Sequence, residues 1–244
     1  MEAVEQQCTS SLTITLKSKA PKSIKNKNEH ANLVFTTRRN KNCGGVISPG
    51  DKLMWAVVRG DLARVKRLVI DCGTDPNIQN NDGDSPLHMA AMLGDLGIVE
   101  FLLDHGADPN IREKRYGDTP LHIAAMYGHP EVVKLLLERG VDPNVRNNTG
   151  DTPLHYAAES GVRKVVELLL GHGADPNIQD NGGWTPLHYA VGFCYVDVAR
   201  VLLDYGADPT IRDNKGRTPL DYGSDCGEFI KELRRRGSRT TVYE

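Results

Sequence analysis

Apolar positions in this chain come in short helical bursts between recurring punctuation marks. From Thr119 to Gly140, Leu121 and Ala124-Ala125 mark one helical segment. Val132-Val133 and Leu135-Leu136-Leu137 mark a second, with a broad apolar face. Thr119 is suited to cap the first helix, because its hydroxyl can accept from an orphan backbone N–H. Pro120 fits the first helical position, where its missing N–H costs nothing. Gly128 can take the left-handed conformation that ends the first helix, Pro130 opens the second and Gly140 stops it. Asp142-Pro143-Asn144 turns the chain outward, and Asn147-Asn148-Thr149-Gly150 makes a tight turn. The pattern predicts a helix pair followed by a projecting hairpin.

This unit recurs in two ladders that keep step. Ser85-Pro86-Leu87-His88, Thr119-Pro120-Leu121-His122, Thr152-Pro153-Leu154-His155, Thr185-Pro186-Leu187-His188 and Thr218-Pro219-Leu220-Asp221 follow one another at 33 or 34 residues. Asp75-Pro76-Asn77, Asp108-Pro109-Asn110, Asp142-Pro143-Asn144, Asp175-Pro176-Asn177 and Asp208-Pro209-Thr210 run beside them at the same spacing. A period of about 33 with this tetrapeptide is the signature of the ankyrin repeat, and residues 51–244 resemble that family. The resemblance implies an all-α solenoid of stacked helix-turn-helix units with projecting β-hairpin loops. It divides the chain into a basic, poorly ordered arm at 1–47 and a repeat domain at 48–244. The expected units are an N-terminal cap at 48–80, repeats at 81–113, 114–146, 147–179 and 180–212, and a C-terminal cap at 213–244.

Three departures from the pattern stand out. The third repeat carries one extra residue around Glu113-Lys114-Arg115-Tyr116, so its hairpin tip is expected to bulge. Cys194 stands where Gly94, Gly128 and Gly161 stand elsewhere, at a left-handed position that costs a side chain about 1 kcal/mol. The last repeat has Asp221 in place of histidine, and Phe229-Ile230 with Leu233 leave its second helix apolar on one side only. That suits a cap, which meets a neighbour on one side only.

Charge divides the chain further. The net charge of −2 conceals a basic segment, residues 1–50 with eight Lys/Arg against three Glu, and an acidic remainder with 22 against 29. No apolar run approaches the roughly 18 residues of a membrane span, and the N-terminus lacks the layout of a secretory signal. Five scattered cysteines, without CxxC spacing, point to neither a disulfide framework nor a zinc site, and a cytoplasmic, reducing location is expected. No nucleophile elbow, phosphate loop, HExxH or dinucleotide motif occurs, so no enzyme and no cofactor is expected.

The four ladder histidines do not make a metal site. Packed helices lie about 8–10 Å apart, whereas two imidazoles on one zinc must each approach to about 2.0–2.1 Å. In the family this histidine is a structural hydrogen-bonder, and His105, His129 and His172 are expected at the surface of helix ends. The basic arm and Arg234-Arg235-Arg236 raise nucleic acid as a partner, but the acidic body opposes it.

If the ladders are scaffold, recognition falls to the positions beside them. The resemblance places these at the hairpin tips and on the inner helices. The tips give Asp84, Arg115, Tyr116, Asp118, Asp151, Trp184 and Arg217; the inner helices give Met92, Leu93, Met126, Tyr127, Glu159 and Phe193. Asp84, Asp118 and Asp151 repeat one position as an acidic stripe, suited to a basic protein segment. Tyr116, Tyr127, Trp184 and Phe193 are of the types that anchor interfaces, with Trp184 alternatively packing on the next hairpin. The function expected is a non-catalytic protein-binding module, an adaptor, scaffold or inhibitor, acting as a monomer. The alternative is a regulator that contacts nucleic acid or membrane through the basic arm.

Overall fold

The short bursts of apolar residues form paired helices. The structure, a computed structural model, describes residues 48–223 and Gly227; the basic arm and the expected second helix of the last repeat lie outside them. Helix α1 (Pro49–Val58) pairs with α2 (Leu62–Lys66), which runs on into a π-helical turn at Arg67–Asp71. The next pairs are α3 (Pro86–Leu93) with α4 (Leu96–Asp104) and α5 (Pro120–Tyr127) with α6 (Pro130–Glu138). Then come α7 (Pro153–Ser160) with α8 (Arg163–Gly171), and α9 (Pro186–Gly192) with α10 (Val196–Asp204). A short 3₁₀ turn at Pro219–Tyr222 opens the last repeat. Among the described residues no strand forms, so the fold is an all-α solenoid.

First helices stack on first helices, and second on second. Leu87, Leu121, Leu154 and Leu187 are fully enclosed, as are Ala90-Ala91, Ala124-Ala125 and Ala157-Ala158. The alanines are the reason the inner layer closes up: at those points a larger side chain would push the backbones apart. Ile98, Leu102, Val132, Leu136, Val166, Leu169 and Leu202 complete the core from the outer layer. Each repeat thus covers apolar surface of its neighbour that none can bury alone.

The tetrapeptide histidine joins successive repeats. His122 Nδ1 accepts from the backbone N–H of Thr119 at 3.2 Å, capping α5 from its own first turn. The ring proton therefore sits on Nε2, which donates to the carbonyl of Asp151 in the next repeat at 3.1 Å. The same bridge runs from His88 to Asp118, His155 to Trp184 and His188 to Arg217, at 3.0, 3.1 and 3.3 Å. At the last step Asp221 takes over the capping half, with Thr218 N–H donating to its carboxylate at 2.8 Å.

The projecting fingers are joined as well, with side chains such as Arg112 and Arg146 reaching the next finger's carbonyls. One backbone bond links each to the next: Lys114 N–H to Asp82 O, Asn148 to Tyr116, Asn181 to Thr149 and Asn214 to Gly182, at 2.7–3.1 Å. At the other end of each unit the Asp-Pro-Asn ladder does the same work. Asn77 donates to Gly106 O and accepts from Asp108 N–H, and Asn144 and Asn177 repeat the pattern.

The left-handed turns answer the question posed by Cys194. Gly94, Gly128 and Gly161 have φ near +70°, and a Cβ there would collide with His129, Val162 and Tyr195 of the following repeat. Cys194 keeps the left-handed backbone, with φ +58°, so the turn is preserved and the strain is borne. Cys194 is also disulfide-bonded, contrary to the expectation from cysteine spacing; its partner lies outside the described residues. His129 is half-buried rather than a plain surface residue: its Nε2 lies 2.8 Å from Met92 O across the repeat boundary.

Replacing His122 with Ala leaves the Thr119 N–H buried without a partner and the Asp151 carbonyl with the Asn147 N–H as its remaining donor. The expected loss is about 2–4 kcal/mol in urea unfolding, and a loss under 1 kcal/mol would show that the bridge is not structural.

Candidate functional site

Each finger is closed by an acidic or amide side chain at its base. Asn80 Oδ1 accepts from the N–H groups of Asp82 and Asp84, Asn147 from Thr149 and Asp151, Asp180 from Gly182 and Trp184, and Asp213 from Lys215 and Arg217, at 2.8–3.0 Å. In the third repeat the loop is one residue longer, and the closing residue is Glu113. Its carboxylate accepts from the N–H groups of Arg115, Tyr116 and Asp118. The added methylene of glutamate spans the added residue of the loop.

This closure decides where the residue before each Thr or Ser points. Asp84, Asp118 and Asp151 are 5%, 2% and 9% exposed, so the acidic stripe expected at the fingertips is instead enclosed at their base. Asp118 takes hydrogen bonds from Asn147 Nδ2 at 2.7 Å and from the Tyr156 hydroxyl at 3.2 Å. Asp84 is held by Asn80 and Asp151 by the Thr149 hydroxyl, at 3.1 and 2.6 Å. Met92, expected on the inner face, is 2% exposed and belongs to the core.

Two further expected contacts are committed within the stack. The Trp184 ring lies 4.5 Å from Tyr222 and 5.0 Å from Tyr189, centroid to centroid, in a cluster that continues to His188. Arg217 lies over the Tyr222 ring at 4.2 Å with Nη2 3.6 Å from Asp213. The remaining positions offer surface. Leu93, Met126, Tyr127, Glu159 and Phe193 are half-exposed on the inner side, just after the alanine pairs or their equivalent. Arg115 is exposed at its fingertip and stacks on half-exposed Tyr116 at 5.0 Å. The inner-face set and the bulged third finger therefore make one candidate surface, and the buried aspartates stand behind it.

Sequence reasoning missed the phenols that run along this face. Tyr156, Tyr189 and Tyr222 each follow the histidine position, and their hydroxyls donate to Asp118, Asp180 and Asp213. The recurrence at 33 residues, directly after the tetrapeptide, was the available signal.

Burial moves the titrations of both ladders, in opposite senses. Desolvation holds all four imidazoles below their ordinary range, with His122 near about 3 and His155 near about 4. Desolvation raises Asp84, Asp118 and Asp151 to about 6 and Glu159 to about 7. Histidines in the unfolded chain protonate near 6.5 while the folded ones stay neutral, so their contribution is lost as pH falls below about 6.5. The carboxylates act the other way. Folded, they take up protons near 6; unfolded, only near 4, so acidification toward 5 stabilises through them.

Among the described residues no cluster of three His, Cys, Asp or Glu could hold a metal, and no helix is long and apolar enough to cross a membrane. A family model for ankyrin repeats matches the chain three times, at residues 53–147, 139–213 and 179–242. Among similar proteins, myotrophin of Xenopus tropicalis is 43% identical over 60 residues, covering 24% of this chain and 50% of myotrophin. Ankyrin repeat domain-containing protein 49 of Bos taurus is 40% identical over 60 residues, 25% of each chain. The 2-5A-dependent ribonuclease of Mus musculus is 41% identical over 70 residues, 28% of this chain but only 9% of the ribonuclease. The chain therefore spans half the length of these relatives or less.

Two outcomes follow from this geometry. Trp184→Ala, which opens the ring cluster, is expected to cost about 2–3 kcal/mol and to lower the melting temperature; an unchanged melt would return Trp184 to the free surface. Asp118→Asn with Asp151→Asn removes two groups that favour acid. Calorimetry at pH 7 and pH 5 should then show a larger acid-induced drop in melting temperature than the wild type shows, and an equal or smaller drop defeats the assignment.

Proposed function

The chain belongs to the ankyrin-repeat family, and from that premise we propose that it is a non-catalytic protein-binding module. Its partner lies against the inner helical face and the third fingertip. Ankyrin repeats in general mediate contacts between proteins, and repeat matches to an enzyme that cover 9% of its length carry no catalytic machinery across. The observation that supports the reading is a division of labour among positions. Residues that recur every 33 positions are spent on bridging repeats, whereas Leu93, Met126, Tyr127, Glu159 and Phe193 vary in type and stay half-exposed along one face.

Aromatic and long apolar side chains in a row, rimmed by charge, are the usual anchors of an interface. A face running over three to four repeats matches a standard interface of roughly 800 Å² per partner. The acidic groups behind it favour a partner segment that is basic. The module would act as a monomer in the cytoplasm, as adaptor, scaffold or inhibitor.

The test is capture of a partner by the tagged protein, compared with Met126→Ala/Tyr127→Ala. Tyr127 also packs on the core, so the double variant should stay folded with a lower melting temperature, still well above the assay temperature, while capture falls at least about tenfold, the loss of one good anchor. Removal of residues 1–47 should leave capture intact. Capture that survives the double variant, or that disappears with the arm, overturns this site.

A further inference from the structure

Along the inner face the carboxylates are unevenly supplied with donors. The carboxylates of Asp118, Asp151 and Asp180 lie in consecutive repeats, with the phenols of Tyr156 and Tyr189 set among them. Tyr156 gives its single proton to Asp118 at 3.2 Å, and Tyr189 gives its own to Asp180 at 2.9 Å. Asp151, between them, receives the Thr149 hydroxyl on Oδ2, at 2.6 Å, and the Tyr189 hydroxyl, bonded to Asp180, lies close enough to interact with it as well. Its Oδ1 is enclosed and has no hydrogen-bond partner. Glu159, half-exposed near the end of α7, interacts electrostatically with Asp151, and burial together with that charge holds the Glu159 carboxyl above its ordinary range. No salt bridge reaches Asp118, Asp151, Asp180 or Glu159 among the described residues. The cation felt by Asp151 is Arg146, whose guanidinium is held 2.8 Å from the Gln179 carbonyl.

A buried carboxylate oxygen without a donor is costly, and a native protein seldom leaves one without a purpose. What the position lacks is a cation with freely directed donors. From this deficit we propose that the position between Asp151 and Glu159, beside Tyr156 and Tyr189, is the seat of one lysine ammonium from the bound partner. This rests on the reading of the inner face as a protein-binding surface and names the side chain that it selects.

The hydrogen bonding favours lysine over arginine. A guanidinium binds best to a carboxylate that offers both oxygens in one plane. Here the aspartates have only single oxygens to give. Asp118 is bonded through both, Asp180 through both, and Asp151 through Oδ2. An ammonium is a point charge with three donors, and can use one oxygen of Asp151, one of Glu159 and a tyrosine hydroxyl. The slender four-carbon stem can lie along the tyrosine rings, whose faces attract cations. Because Asp151 Oδ1 is closed to water, the Glu159 side chain must shift as the ammonium enters.

The experiment titrates the whole chain with N-acetylated, C-amidated Gly-Ser-Gly-Lys-Gly-Ser-Gly, following side-chain and backbone resonances of Glu159 and Tyr189 by NMR. The same peptide with Nε-acetyl-lysine, and with arginine in place of lysine, are the comparators. The lysine peptide should bind saturably, and both comparators should be weaker by about tenfold or more, the loss of one charge-assisted contact. Glu159→Gln and Asp151→Asn should each abolish the preference for lysine without lowering the melting temperature.

Equal binding of the acetylated peptide, or no saturable shift at Glu159 and Tyr189, overturns the proposal; so does a stronger response to arginine. The two readings separate cleanly. Partner capture that depends on Tyr127 but is indifferent to Glu159→Gln removes the lysine seat and leaves the binding module standing. Saturable lysine binding at Glu159 without any Tyr127-dependent capture supports the seat and removes the proposed wider interface.

Discussion

The stack depends on one two-ended imidazole. Its Nδ1 closes the first turn of its own helix, and its Nε2–H reaches a carbonyl of the following unit, so a local cap and a long-range joint are made by the same ring. Because Nδ1 must accept, the proton is fixed on Nε2, and the direction of the joint is fixed with it. A ring that must stay neutral has to be kept from water, which is why the histidines are enclosed and their basicity suppressed. The proline and the Thr or Ser of the tetrapeptide follow from this requirement: they hold the helix start in the one geometry that lets the ring reach both ways.

The scaffold was legible because its requirements repeat. Thr119-Pro120-Leu121-His122 names a cap, a helix start, a core residue and a bridge, and the same four roles reappear every 33 or 34 residues. The candidate surface was only partly legible. Tyr127, Met126 and Phe193 lie on the inner face as the spacing implied. Asp118 and Asp151 share a position with Trp184 and Arg217, and spacing alone gave that position the look of an exposed stripe. What encloses the aspartates is the finger base, Asn147 and Thr149 above all, and enclosure by residues two or 29 apart leaves no mark in a periodicity. Cys194 shows the converse. Its departure from glycine was plain, but that the chain would keep the left-handed turn, and that the thiol would be bridged, was not.

Two buried ladders of opposite chemistry therefore run side by side along the solenoid. The imidazoles resist protonation and the carboxylates invite it, both because burial penalises charge. They differ in what they do for the fold. The histidine row is fully bonded, with a donor and an acceptor used on every ring, and it holds the repeats in register. The carboxylate row is bonded unevenly, tight at Asp118 and open at Asp151. Uneven satisfaction on the inner face of an otherwise regular stack is where chemistry specific to this chain, rather than to repeat proteins at large, is concentrated.

The closing carboxylate of the third finger carries a consequence beyond its own loop. Asn and Asp close the four-residue span, and Glu113 closes a span longer by one. Reach of the side chain and length of the loop thus vary together, while the backbone bond from Lys114 to Asp82 and that from Asn148 to Tyr116 stay in place on either side. An insertion in a repetitive stack would ordinarily spread, since each unit is aligned only by its neighbour. Here it is absorbed within a single finger, leaving the periodic alignment beyond it unaltered. Finger length is for this reason an independent variable of such a molecule: one compensating substitution allows a tip to be extended toward a new target without disturbing the units that carry it.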